Sequence, residues 1–297
     1  MKFLLLFTLI LFSCSNVAKS SSDSQWTPLL DKNLSQWEAY LSYRHKLGYN
    51  GEIPKNDEGE DIAPFGLLKH PQEYGVYTVD KAESKANGTP VLKVSGEIYG
   101  GLTTLKSYRN YRFKLKFKWG DKVYEPRKKL LKDSGILYHG AGEHGKEYWR
   151  SWMVSQEFQI MRGHIGDYWS QGNSAIDIRA FIPEYIMNPV ADETQDYISV
   201  GEKQANKGFV LRKENHEKPE GQWNELELIC FEGKSLHIVN GEVVMVLANS
   251  RTLDENGIAH PLIEGKIQLQ SEAAEIFYKD IYILEIEAIP SEFRQLF

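Results

Sequence analysis

Residues Tyr111-Arg112-Phe113-Lys114-Leu115-Lys116-Phe117-Lys118-Trp119 alternate without a break, five aromatic or aliphatic side chains against four bases. Neighbouring side chains on an extended strand point to opposite faces, so this order suits a strand with one face buried and one in water. On a helix the same bases would be scattered around the whole circumference. A half-buried strand of this kind belongs to an antiparallel sheet, because parallel sheets are usually covered on both faces.

The rest of the chain repeats that pattern in shorter pieces. Val91 to Val94, Gly135 to Tyr138, Phe158 to Met161, Ala175 to Ile182, Lys266 to Gln270 and Ile276 to Ile286 read as strands. Ser235 to Val239 and Glu242 to Leu247 flank Asn240-Gly241, a pair suited to the positive φ angles of a type I′ hairpin. Short helices are expected only around Asp31 to Tyr40 and Leu253 to Asn256, and no βα alternation is present. With 41% hydrophobic residues to fill a core, the expected fold is all-β, a large antiparallel β-sandwich. Two charged, aperiodic stretches, Arg44 to Glu73 and Pro183 to Lys218, are long loops that could act as lids.

The N-terminus reads as an address. Lys2 precedes an apolar run from Phe3 to Phe12, too short for the roughly 20 residues that span a bilayer. Leu11-Phe12-Ser13-Cys14 then matches a bacterial lipobox, which predicts a lipoprotein signal peptide over 1–13, lipidation of Cys14 and a Ser-rich tether over 14–25. One domain would fill 26–297. No acidic cluster follows Cys14, so the anchor is expected to face the periplasm of a bacterial cell envelope. Cleavage would remove one Lys and no acid, changing the net charge from −6 to −7. Such an acidic balance gives no case for nucleic acid, and membrane contact is expected through the lipid alone. The remaining cysteine, Cys230, sits among apolar neighbours and reads as a buried core thiol.

Chemistry concentrates between Asp133 and Asp177. Period two puts Glu157 and Gln159 on one face of a strand and Phe158 and Ile160 on the other. The apolar pair can enter the core while carboxylate and amide face a cleft. Tyr138, His139, Tyr148, Trp152, His164 and Asp167 lie nearby in sequence as further candidates. A second constellation, Gly265-Lys266-Ile267-Gln268-Leu269-Gln270-Ser271-Glu272, turns Gln268 and Gln270 outward together and carries Glu272 just beyond the strand.

The Trp26-to-Trp37 opening, Asp133-Ser134-Gly135-Ile136, Glu157-Phe158-Gln159-Ile160, Gln222-Trp223-Asn224, Asn240-Gly241 and Gly265-x-Ile267-x-Leu269-Gln270-Ser271-Glu272 follow in that order. In this the chain resembles the 3-keto-disaccharide hydrolase domain family over roughly Trp26 to Ile286. Two departures stand out: Asp133 where the family commonly has Asn, and Leu29-Leu30-Asp31-Lys32-Asn33 in place of Leu-Phe-Asp-Gly-Lys. The resemblance implies a concanavalin A-like lectin/glucanase jelly roll and cleavage of a glycosidic bond in a sugar oxidised at C3.

A C3 ketone acidifies the proton on C2, so a modest base can form an enolate that expels the C1 oxygen, after which water adds back. That route needs a base, donors to the enolate oxygen and an acid for the leaving group. The expected assignment is Glu157 as base, His139 or His164 as acid or oxyanion donor, and Gln159 and Gln270 as positioning amides. Tyr138, Tyr148, Trp152, Asp167 and Glu272 are expected to contact substrate. No metal site is assigned, although a divalent cation held by His164 and Asp167 could serve as the oxyanion donor. The alternatives are a conventional glycosidase using Glu157 and Glu272, and a carbohydrate-binding envelope lipoprotein without catalysis.

Overall fold

A computed structural model of the chain describes residues 25–297 other than 186, 187, 202, 203, 205 and 207. Two antiparallel sheets face each other. In the larger, the order across the sheet is Val190–Ala191, Ser174–Phe181, Glu242–Leu253, Lys234–Val239, Asn224–Phe231, Tyr111–Val123, Ala274–Glu285, Val91–Val94 and Tyr77–Val79. In the smaller it is Phe209–Val210, Tyr168–Gln171, Val154–Met161, Asp133–Ala141, Lys266–Ser271, Ile98–Thr104, Trp37–Arg44 and Gly66–Leu67. The expected antiparallel β-sandwich, of jelly-roll type, is the fold observed.

The alternating strand behaves as its sequence predicts. Tyr111, Phe113, Leu115, Phe117 and Trp119 are buried in the main core, and the bases between them are half-exposed. From the smaller sheet Ile136, Tyr138, Phe158, Ile160, Ile267 and Leu269 meet them in the same core. Burial of side chains this size supplies roughly 1.5–3 kcal/mol apiece before entropy is charged against it. Outside, Arg112 pairs with Glu227 at 2.6 Å and Lys116 with Asp280 at 3.2 Å. Cys230 is buried as expected, and burial pushes its thiol well above the usual range.

Asn240 and Gly241 both take positive φ, 52° and 93°, at the tip of the predicted hairpin. The expected helix over Asp31 to Tyr40 is not formed. Asp31 accepts from the backbone of Asn33 and Ser35, closing a turn, and the chain enters the strand Trp37–Arg44. Nor is Leu253 to Asn256 helical, since Leu253 ends a strand and a turn follows. The one α-helix among the described residues, Lys81–Asn87, is capped by Asp80 at one end and by left-handed Gly88 at the other. Among the described residues no helix is long and apolar enough to cross a membrane.

Both charged excursions are organised. Lys55 bridges to Asp61, Asn56 accepts from the backbone of Glu58 and Glu60, and Phe65 N donates to Ser42 O at 3.1 Å. In the later one Tyr197–Gly201 pairs with Ser174–Phe181, and Phe209–Val210 with Tyr168–Gln171. Residues 1–24, with Cys14, lie outside the described residues.

Candidate active site

The polar side chains of the smaller sheet gather on its outer face. Leu137 pairs with Glu157 and Gly135 with Gln159, while Gln268 lies across from Leu137 on the other side. Period two therefore sets Glu157, Gln159, Asp133, Gly135, Gln268 and Gln270 on one face. Although outward-facing, Glu157 is only 2% exposed and Gln159 5%. Their low exposure means that other segments of the chain cover this face, which we term the recess.

Glu157 is placed by small and polar neighbours. A Cβ on Gly135 would come within 2.4 Å of Glu157 Oε1 and 2.5 Å of Gln270 Oε1, so the glycine provides the space for both side chains. Gln171 Nε2 donates to Glu157 Oε2 at 2.5 Å. Burial is the main influence on this carboxyl and the Gln171 hydrogen bond opposes it; together they leave its pKa pushed up to about 8. The carbonyl oxygens of Gln159 and Gln270 are buried with no protein partner, and such acceptors are costly unless something donates to them.

At the end of the recess Arg127 binds both Asp133 and Glu272. Asp133 and Glu272 are also paired through an isolated antiparallel backbone bridge. Burial raises both, and the neighbouring Glu272 charge raises Asp133 again, against the pull of Arg127. Like charges in a dry site cannot both ionise cheaply, so burial and mutual repulsion favour protonation of the pair while Arg127 opposes it. His45 Nε2 accepts from Ala273 N at 2.8 Å, immediately after Glu272, and its ring sits 3.6 Å from that of Tyr99. Burial, then Arg127, holds His45 neutral with a pKa near 3. Tyr49, Tyr99 and Trp149 pack ring against ring beside Trp152.

Of the residues singled out from sequence, Glu157, Gln159, Gln270 and Glu272 come together here. Trp152 belongs to the aromatic wall, with Nε1 donating to Gly100 O at 3.1 Å. Tyr138 is instead on the core side, its hydroxyl 3.0 Å from Ser235 Oγ, so it cannot contact substrate in the recess. His139 is a correction too. It takes φ 55° where the strand register breaks between Tyr138 and Ala141, and its ring lies edge-on to Tyr111 and Tyr138. Burial depresses its pKa to about 4, leaving a neutral core imidazole rather than an acid.

His164 and Asp167 form a cluster of their own. His164 Nδ1 is 2.9 Å from Asp167 Oδ2, and Asp167 Oδ1 accepts from Arg212 N at 2.8 Å and Nη1 at 3.2 Å. Arg212 already neutralises the buried carboxylate. Among the described residues no three His, Cys, Asp or Glu side chains gather as ligands for a metal. Tyr148 falls in the short 3-10 turn Tyr148–Arg150, and its side chain lies outside the described residues.

Arg127, Asp133, Gln171, His45 and Tyr99 complete the recess and were not picked out as site residues. Asp133 was visible as the departure from the family's Asn. Arg127 sits in the basic run Arg127-Lys128-Lys129, where sequence offers no sign that one member turns inward.

The model of the 3-keto-alpha-glucoside-1,2-lyase-like domain matches residues 25–284. The chain belongs to that family. A search of curated proteins gave no match. Among solved structures, a candidate glycosyl hydrolase from Parabacteroides distasonis ATCC 8503 is 18% identical, covering 88% of this chain and 100% of that one, with a TM-score of 0.45. A second from the same organism is 15% identical, covering 86% and 91%, again at 0.45. A Bacillus licheniformis beta-glucanase is 8% identical over 90% and 100%, at 0.40.

The motifs that this 3-keto-alpha-glucoside-1,2-lyase-like chain carries divide into two sets in space. Asp133 to Gly135, Glu157 to Gln159 and Gln270 to Glu272 build the recess. Asn224 and Asn240 meet elsewhere: Asn240 Nδ2 donates to Asn224 Oδ1 at 2.9 Å and to His216 O at 2.7 Å, and Asn240 Oδ1 accepts from Glu225 N. That second set braces the hairpin against the 213–222 loop.

Proposed function

We propose that the chain cleaves the glycosidic bond of a 3-keto-glycoside by elimination across C1 and C2 followed by addition of water. The observation that carries this is geometric: buried Glu157, lying over Gly135 with Gln171 on one oxygen, shares a face of the sheet with the Asp133 and Glu272 carboxyls that meet on Arg127. Ionised Glu157 takes the C2 proton and the C2–H electrons form the enolate of the C3 ketone. The C1–O bond then breaks as the enolate collapses, and the departing oxygen receives a proton from the Asp133–Glu272 pair. Once the leaving group has departed, the proton on Glu157 exchanges with solvent. Water then adds at C1 while Glu157 delivers a solvent-derived proton to C2, and the carboxyl pair recovers its proton from the adding water. Arg127 keeps the pair in place, and Gln159 and Gln270 meet the sugar's hydroxyls.

This assignment gives the acid role first expected of His139 or His164 to Asp133 and Glu272. A base with pKa near the working pH balances the population of its ionised form against its proton affinity. The family's description as a 1,2-lyase matches the same bond change. A binding module without catalysis would have little use for a buried Glu157 beside two further, largely buried carboxyls that share one arginine.

Purified protein incubated with a 3-keto-disaccharide and with the same disaccharide unoxidised tests the reading. Monosaccharide should appear only from the keto sugar. Release from the plain sugar alone supports conventional hydrolysis, and tight binding without cleavage of either supports a lectin. The Leu11-Phe12-Ser13-Cys14 sequence supports a cell-envelope lipoprotein, probed by labelling the expressed protein with a fatty acid and comparing it with a Cys14→Ala variant, which should take up no label.

A further inference from the structure

A cavity of about 420 Å³ lies between the strand end at Ser42–Lys46 and the excursion that follows it. Its lining is mainly apolar, with Tyr43, Tyr49, Pro54, Ile62, Pro64 and Phe65 joined by His45. The volume is within the ordinary range for small-molecule sites, roughly 300–1,000 Å³. The surrounding excursion also leaves Leu47, Ile53, Leu67 and Tyr74 exposed. Apolar surface concentrated on one segment marks a binding site more often than scattered residues do.

The position of the cavity says which part of a substrate it meets. His45 and Tyr49 line it, and both also pack on Tyr99 in the wall of the recess. His45 is bonded to Ala273, the residue after Glu272. The cavity therefore adjoins the Asp133–Glu272 end of the recess, where the leaving oxygen acquires its proton, and lies beyond that end rather than beside Glu157.

We propose that this cavity is the leaving-group subsite and takes an aromatic, one- or two-ring aglycone. The assignment rests on the reading that the Glu157 recess holds the sugar. Ser42, Arg44 and Lys46 border the cavity at the strand end, but the rest of the lining is mainly rings and aliphatic groups, against which a second sugar would desolvate more hydroxyls than those side chains can pair. An aryl group fits the volume and stacks on the tyrosine and phenylalanine rings.

The free phenol 4-methylumbelliferone is the probe, titrated by fluorescence into the full chain and into Ile62→Asp and Phe65→Ala variants checked for folding by circular dichroism. Ile62 is on the surface loop and partly exposed, so a carboxylate there should leave the fold intact. Saturable binding is expected to the parent protein and to weaken at least about tenfold in Ile62→Asp. The same variant should raise KM about tenfold for a 4-methylumbelliferyl 3-keto-glucoside and leave the methyl 3-keto-glucoside unchanged. Absence of saturable binding, or binding indifferent to both substitutions, overturns the proposal even if the methyl glycoside is turned over. Should the phenol bind as expected while neither glycoside is cleaved, the reaction assigned to Glu157 falls and the aromatic pocket stands.

Discussion

Gly135 and Glu157 occupy neighbouring strands, and the first exists as glycine so that the second can lie over it. A Cβ at 135 would stand 2.4 Å from Glu157 Oε1. The buried carboxyl, its Gln171 partner and the Gln270 amide all depend on that space. Gly135→Ala should therefore displace the base. Turnover is expected to fall about a hundredfold, the scale of a 1 Å misplacement in an active site. Overpacking should cost about 1–3 kcal/mol in urea unfolding. A variant with parent-like turnover contradicts the role given to this contact.

Glu157→Gln keeps the shape and removes the base. Turnover is expected to drop by about 10²–10⁴, the usual contribution of a general base, with circular dichroism unchanged. In the parent protein the rising limb of kcat/KM against pH should centre near pH 8, the value to which burial pushes this carboxyl.

The same shift governs stability. The folded pKa of Glu157 lies above its ordinary value of 4.5, so between the two the folded state holds a proton that the unfolded chain has lost. Its stabilising contribution is complete below about pH 4.5 and declines as pH rises towards 8, with a slope approaching 1.4 kcal/mol per pH unit. Urea midpoints taken across that window should fall less steeply for Glu157→Gln than for the parent. Equal slopes would show that burial does not hold the proton there.

Arg127→Leu removes the cation from two buried carboxyls. Breaking such a cluster costs about 3–5 kcal/mol, and the loss should be larger at pH 8 than at pH 5, where protonation relieves Asp133 and Glu272. Parallel unfolding curves at the two pH values check the sign.

Asn240→Ala is the structural counterpart. It removes hydrogen bonds to Glu225, Asn224 and His216 far from the recess in function. About 1–3 kcal/mol of stability should be lost, with kcat on a 3-keto-glycoside retained.

What could be read from sequence followed from local rules. Strand period two gave the Tyr111–Trp119 core face and put Glu157 with Gln159, because alternation survives any arrangement of sheets. Asn240-Gly241 announced its turn through the φ angles it tolerates. His139 shows the limit: a register break turns its ring into the core, and nothing in Tyr138-His139-Gly140 reveals the break. Arg127 is similar, since its inward direction is set by two carboxyls from distant strands. The helix expected from Asp31 failed because an aspartate caps a turn as readily as a helix start. Lys81–Asn87 is only seven residues long, too short to show an amphipathic helical period in the sequence.

In the proposed reaction Glu157 removes the C2 proton before the glycosidic bond breaks. Running the reaction on a 3-keto-glucoside in D2O, and reading the released 3-keto-glucose by NMR at early times, tests it directly. Deuterium should appear at C2 with each turnover, well above that in the same substrate held with the Glu157→Gln protein. Product released with its C2 proton intact would show that cleavage proceeds without removal of that proton to a group in exchange with solvent.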